Sequence, residues 1–204
     1  MKNLKNVNTE DQILEAAERI FQDKGMEGAR MQEIADKAGI NKAMLHYYYR
    51  SKQLLFEAVF KKAFALLAPQ LNKVLNDDSS IEDKIKNFTK DYISFILKHP
   101  YIPKFVIQEL NRNPEFILKI QKSKGFPNIT KFKKQLELEI SKGHIIPIKA
   151  EQLFINIMAL NIFPFVAKPL VKAFISMDDK SFIQLMEDRK TEVSTFIINS
   201  IKHH

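Results

Sequence analysis

Met31-Gln32-Glu33-Ile34-Ala35-Asp36-Lys37-Ala38-Gly39-Ile40-Asn41-Lys42-Ala43-Met44-Leu45-His46-Tyr47-Tyr48-Tyr49 is the stretch that decides the fold of this 204-residue chain. Two short helices cross closely only where the first presents a small residue, and Ala35 does. Four residues on, Gly39 supplies a positive-φ turn that a residue with a Cβ resists. Ile40 plugs the corner, Asn41 caps the next helix, and Leu45 with Ile34 pins the pair together. The pattern predicts helices over Met31–Ala38 and Lys42–Tyr49 joined by a tight turn. That is a helix-turn-helix, the unit that lays its second helix in the DNA major groove.

The outer face of that second helix has the chemistry for the task. Lys42 and Lys52 offer positive charge to phosphates, Tyr47 and Tyr48 offer hydroxyls, and Ala43 and Met44 are slim or apolar enough for thymine methyls. Three consecutive helix residues cannot all face one way, so Tyr49, and partly Tyr48, is expected to pack inward. Gln32 reads either as a contact to a base edge or the DNA backbone, or as a solvated surface glutamine.

On the N-terminal side, Thr9-Glu10-Asp11-Gln12 reads as a capping box. Ile13, Ala17, Ile20 and Phe21 follow at helical spacing, and Gly25 is placed to end that helix. On the C-terminal side, Ser51 begins a long fourth helix with Leu54, Leu55, Ala58, Val59 and Ala63 facing inward. Three of the five glycines lie in the first 39 residues, whereas all eight prolines lie at Pro69 or later. Short helices joined by glycine turns therefore give way to longer helices punctuated by proline. Ser80 starts another helix, whose Ile81, Ile85, Phe88, Tyr92, Phe95 and Ile96 form one amphipathic face ended by His99-Pro100. Shorter helices are expected over Tyr101–Asn113, Pro114–Lys124 and Thr130–Lys142, and longer ones over Lys149–Val166 and Asp179–Ile201. No stretch alternates convincingly with period two, so the chain reads as all-α: a helix-turn-helix domain over 1–52 and a larger helical domain over 53–204.

Composition narrows the classes further. Hydrophobic residues make up 45% and charged residues 27%, a globular balance. The chain has no cysteine, which excludes disulfide scaffolds, cysteine nucleophiles and thiolate metal sites and suits a reducing cytoplasm. No secretory signal is read at the N-terminus. The longest apolar run, Leu153–Ala167, falls short of the ~20 residues that cross a bilayer. A soluble, cytoplasmic protein without membrane attachment is expected. Net charge is +8, yet residues 1–62 hold 11 Lys and Arg against 9 Asp and Glu, a surplus of only two. The local pattern says more than the total: Lys37, Lys42, Arg50 and Lys52 follow one another with no acid between them.

In the larger domain, Phe88, Tyr92, Phe95, Phe105, Phe116, Phe154, Met158 and Phe165 are more aromatic and apolar bulk than one seam can hold. Each reads either as core or as the wall of an apolar ligand cavity between helices. The lysine surplus here favours a neutral or anionic lipophilic ligand over a cation. Leu153, Ile157 and Leu160 on one late helix, and Phe182, Leu185, Met186, Val193, Phe196 and Ile197 on the last, form wide apolar stripes. Two copies of these helices would close a four-helix bundle, so a homodimer seam is expected there; the alternative is that the stripes serve the protomer's own core.

No enzymatic site assembles. The five histidines, His46, His99, His144, His203 and His204, lack the paired spacing of a metal motif, and there is no glycine-rich phosphate loop. His203-His204 read as a frayed tail or a tag remnant. An enzyme would need Glu109 or Asp91 buried with a perturbed pKa. No catalytic residue, cofactor or metal is expected.

The run from Gly25 through Gly28-Ala29-Arg30-Met31-Gln32-Glu33-Ile34-Ala35 and Ala38-Gly39-Ile40-Asn41-Lys42-Ala43-Met44-Leu45-His46-Tyr47-Tyr48-Tyr49-Arg50-Ser51-Lys52-Gln53-Leu54-Leu55 resembles the N-terminal domain of tetracycline-repressor (TetR) family regulators, over about residues 8–60. The resemblance implies a homodimer that binds palindromic operator DNA, and a transcriptional regulator, in the first instance a repressor, released when a small lipophilic effector enters the larger domain. Arg30 stands where the family usually has threonine and His46 where it commonly has tyrosine; Ser or Thr is frequent where Asn41 and Met44 stand. Arg30 and His46 are candidate DNA contacts for that reason. They also sustain the alternative, a helical small-molecule-binding module with impaired DNA binding.

Overall fold

A computed structural model describes residues 3–112, 114–122 and 126–203; the side chains of residues 3–8, 73–74, 116–117 and 119–120 lie outside the description. The described residues form helices α1 (Asn3–Gly28), α2 (Met31–Lys37), α3 (Lys42–Tyr48), α4 (Lys52–Asn76), α5 (Ile81–Lys98), α6 (Ile102–Arg112), α7 (Pro114–Gln121), α8 (Thr130–Ser141), α9 (Ala150–Val166), α10 (Lys168–Phe174) and α11 (Asp179–Ile201). The only extended pairing among them is an isolated bridge between Ile145 and Lys202. The fold class is all-α, as the sequence indicates.

The chain divides into two compact units, Met1–Leu66 and Leu67–His204. The division falls inside α4 rather than at its start, where the sequence reading drew it. The reason lies in the first turns of α4: Leu55, Phe56, Val59, Phe60 and Ala63 are buried, and the Phe56 ring meets Phe21 of α1 edge-on at 5.1 Å. These turns therefore complete the core of the first unit, with Ile13, Ala17, Ile20 and Phe21 from α1. Leu54, expected inside, is 50% exposed; the buried phase of the helix runs through Phe56 and Phe60 instead. Ser51 caps α4, its Oγ accepting from the Leu54 N–H at 3.2 Å.

α1 starts before the expected capping box, at Asn3. Nothing in Asn3–Asn8 breaks a helix, so Thr9 sits within α1 and not at its end. Gly25 does take the left-handed region, φ +67°, and α1 kinks there.

In the second unit α5 and α11 share the most extensive contact, and α9 packs on both as well as on α6, α8 and α10. The Ser80 hydroxyl caps α5 by accepting from the Asp83 N–H at 3.1 Å. The link before it is fastened by side chains. Lys84, wholly buried, donates to the Asp77 carbonyl at 2.7 Å. Lys131 of α8 donates to the Asn76 carbonyl at 2.8 Å and Gln135 to the Ser79 carbonyl at 2.7 Å. Carbonyls at the end of α4 and in the link that follows thus find donors on α5 and α8.

α10 went unforeseen, because Ala167-Lys168-Pro169 reads as a simple helix stop. In fact Pro169 lies in the first turn of a new helix, where its missing N–H costs nothing. Pro164 stands inside α9 and removes the donor that would serve the Leu160 carbonyl. Arg189 of α11 replaces it, donating to that carbonyl at 2.7 Å. Among the described residues no single helix is long and apolar enough to cross a membrane; α9 and α10 pass such a test only as a pair bent by 79°.

Candidate nucleic-acid interface

The turn between α2 and α3 is built by its backbone. Gly39 has φ +69°; the Ile40 N–H reaches the Ala35 carbonyl at 3.0 Å and the Gly39 N–H reaches Asp36 at 3.2 Å. This is the paired bonding of a Schellman end, which needs a left-handed residue at the glycine position. Asn41 then opens α3, its Oδ1 accepting from the Met44 N–H at 2.7 Å. Ile34, Ala35 and Leu45 have no solvent exposure. With α3 locked from below, its other residues must face out: Lys42, Ala43, Met44, His46 and Tyr47 are all exposed, Tyr47 at 84%. The Tyr47 ring meets Tyr48 edge-on at 5.7 Å, which stiffens both.

Tyr48 is half-buried. Tyr49 turns inward as expected: its hydroxyl donates to Glu10 Oε1 at 2.9 Å, and burial, together with that carboxylate, pushes its pKa up. Gln32 is exposed and engaged within α2, its Nε2 donating to Asp36 Oδ1 at 2.7 Å. Arg30 is exposed at the start of α2 and makes no side-chain cap there.

Lys52 requires a correction. Its ammonium donates to the Glu27 and Ala29 carbonyls, each at 3.0 Å. The charge sits at the carbonyl end of α1, where the helix dipole favours a cation. Its first task is to hold α1 to α4, and a lysine beside a recognition helix gives no sequence signal of such a partner. Arg50, exposed at the end of α3, is the basic side chain that the sequence reading left out of the contact set.

The larger unit departs further from expectation. Phe88, Tyr92 and Phe105 are buried; Phe95, Phe154, Met158 and Phe165 are half-buried; the Phe116 side chain lies outside the described residues. Phe88 stacks on Tyr92 at 4.8 Å, while Phe165 meets Phe182 edge-on at 6.2 Å beside the buried cluster of Ile93, Phe182 and Met186. Of the expected dimer-seam residues, Leu153, Ile157, Phe182, Met186, Val193 and Ile197 are 4% exposed or less, and Leu160 and Leu185 are half-buried. They belong to the protomer's own core. Phe196 alone of that set is open, at 64%. An uncovered apolar face lies elsewhere on α9, at Ile155 and Phe163 with the small Ala159 between them. Glu109, one of the two acids that an enzyme would need, is buried in an ion pair, its Oε1 accepting from Arg112 Nη1 at 2.8 Å, and the other, Asp91, is half-buried. Among the described residues no group of acids and histidines is arranged to hold a metal ion.

A small domain whose two short helices meet at a glycine turn, followed by a larger all-helical unit, defines a class of two-part helix-turn-helix proteins. The family model "Bacterial regulatory proteins, tetR family" matches residues 13–59. The chain is 30% identical over 105 residues to the biofilm operon negative transcriptional regulator IcaR of Staphylococcus aureus, covering 52% of this chain and 55% of that one. It is 29% identical over 92 residues to the transcriptional repressor NicS of Pseudomonas putida, covering 45% and 43%. The chain thus matches about half the length of these curated relatives. In fold it resembles a TetR family transcription regulator from Marinobacter aquaeolei, with TM-score 0.67, 14% identity and 98% of each chain covered. Residues 13–59 thus match the N-terminal domain of the TetR family of regulatory proteins, and the whole chain shares the fold of such a regulator.

Proposed function

We propose that this protein is a DNA-binding transcriptional regulator that represses from palindromic operator DNA as a homodimer and is released by a small lipophilic effector. The observation that carries the reading is the outward face of α3: with Leu45 buried beneath it, Lys42, Ala43, Met44, His46 and Tyr47 stand in solvent together. A side chain in that position costs nothing to present to a base edge or a phosphate. Arg30, Gln32, Tyr48 and Arg50 flank the face. Lys52 contributes by fixing the helix ends, with at most one proton left for a phosphate. Repression is the direction named for IcaR and NicS.

Dimerisation fits the exposed stripe of Ile155, Ala159 and Phe163 on α9 with Phe196 on α11. A groove of about 300 Å³ beside Phe196 is lined by Ile148, Leu153, Asn156, Ala159, Leu160, Ile197 and Ser200, a shape that a partner's side chain can fill. Effector action draws on α4, which belongs to both units: a ligand in the larger unit that favours one setting of α4 shifts the spacing of the two recognition helices.

The test is fluorescence anisotropy with a duplex from the protein's own upstream DNA, at rising salt. Affinity should fall steeply with salt as phosphate contacts release counterions. Lys42→Ala or Met44→Ala should change preference among sequences. Salt-independent binding, or none, would instead favour a helical small-molecule-binding module. Native mass spectrometry of Phe163→Glu, expected to be monomeric beside a dimeric parent, tests the seam.

A further inference from the structure

Among the buried polar atoms of the second unit that lack a hydrogen-bond partner are the Tyr92 hydroxyl on α5 and Oδ1 of Asn161 on α9. Tyr92 is wholly buried and Asn161 is 1% exposed. Such atoms are normally satisfied, because leaving them bare forfeits their hydration with no return. Their orientation is fixed by neighbours. Asn161 Nδ2 donates to the Ile157 carbonyl at 2.7 Å and to Thr89 Oγ1 at 3.4 Å. A carbonyl only accepts, so the amide cannot be reversed, and Oδ1 is the free end.

The Thr89 contact places Asn161 against α5 one turn before Tyr92. Helical side chains lean toward the N-terminus, and the stacking of Tyr92 on Phe88 at 4.8 Å shows this tyrosine leaning so. Tyr92 and Asn161 thus lie on neighbouring turns where α5 packs on α9. Burial pushes the phenol's pKa up, which keeps it a donor at neutral pH. On α9, Phe154 and Met158 lie on the same helical face as Asn161 and are half-buried. They are the apolar neighbours of that polar end along α9.

Resting on the effector reading above, we propose that Tyr92 and Asn161 anchor the head group of the effector between α5 and α9, and that this effector is a neutral amphiphile. Its head must accept from the Tyr92 hydroxyl and donate to Asn161 Oδ1. An alcohol, a phenol or a primary amide does both. A carboxylate has no proton to donate and meets the amide oxygen with like charge. An ammonium could donate to both oxygens, but it would leave the Tyr92 proton without an acceptor and bring an unpaired charge into a buried site. The site thus narrows the neutral-or-anionic expectation to neutral.

The experiment is calorimetric titration and thermal melting of the full chain with n-octanol, with octanoate at about pH 8, where the acid is fully ionised, and with octyltrimethylammonium. n-Octanol should bind saturably and raise the melting temperature, with octanoate and the cation at least about tenfold weaker. Tyr92→Phe and Asn161→Leu should each weaken n-octanol about tenfold, and Tyr92→Phe should leave the melting temperature of the free protein unchanged or higher, since it removes an unsatisfied group. No response to n-octanol, equal binding of octanoate, or unaltered binding in both variants overturns the proposal. So does a lower melting temperature for free Tyr92→Phe, which would assign the hydroxyl to an internal water. None of these readouts involves DNA. A protein that binds n-octanol but no operator duplex refutes the regulator and keeps the site, and the converse result does the opposite.

Discussion

The two units handle exposure in opposite ways. In the first, a few fully buried residues, Ile34, Ala35 and Leu45, hold a short helix whose remaining side chains are almost all in solvent. In the second, polar groups are drawn inside: Lys84, Thr89, Glu109 and Asn161 are 2% exposed or less. Where function lies on an outward face, the same residues cannot also be core, so packing and recognition separate cleanly. Where it lies inside, every candidate ligand contact is also a packing contact, and the two roles share side chains.

That contrast can be broken by substitution. The largest effect is expected for Leu45→Ala, which removes a wholly buried side chain from beneath α3 and should cost about 2–5 kcal/mol in chemical denaturation, with operator binding lost alongside. Full DNA affinity in a destabilised Leu45→Ala would show that α3 is not positioned from below. Arg189→Met comes next. It leaves the Leu160 carbonyl, already deprived by Pro164, without its donor, at a cost of about 1–3 kcal/mol; an unchanged melt would mean that water serves that carbonyl.

Gly39→Ala tests the turn itself. A Cβ there meets nothing within 4 Å, so the expected loss of about 1 kcal/mol is backbone strain alone, read as a small drop in denaturant midpoint. The smallest change in stability belongs to Tyr47→Ala, within about 0.5 kcal/mol of the parent as for other exposed sites, yet this variant should bind operator duplex distinctly more weakly. A loss of stability with intact DNA binding would reverse the assignment of that ring. Together the four variants sharpen the comparison: in the first unit stability and recognition should respond to different residues, whereas inside the second they should move together.

What could be read in advance follows the same division. The helix-turn-helix was legible because its signals are local. A small residue, a glycine at the left-handed position, an asparagine cap and two apolar pins lie within fifteen or so residues, and each acts through its own backbone. The inward turn of Tyr49 followed from helical geometry. The engagement of Lys52 was not legible, since its partners are carbonyls of α1 brought near only by the fold. On α9 the phase itself was hidden. Its apolar residues run all the way round the helix, so periodicity cannot distinguish the side packed against α5 and α11 from the side left bare.

The sequence by itself therefore determined the two helices of the helix-turn-helix, the glycine turn between them and the identity of the outward residues on α3, since short-range sterics and hydrogen bonding settle them. Only the tertiary structure decided which stripe of α9 and α11 is core, which donor serves the carbonyl freed by Pro164, and that the Tyr92 hydroxyl and Asn161 Oδ1 are buried without partners. Those outcomes depend on which helix lies against which, and the chain's own order of residues does not encode that contact locally.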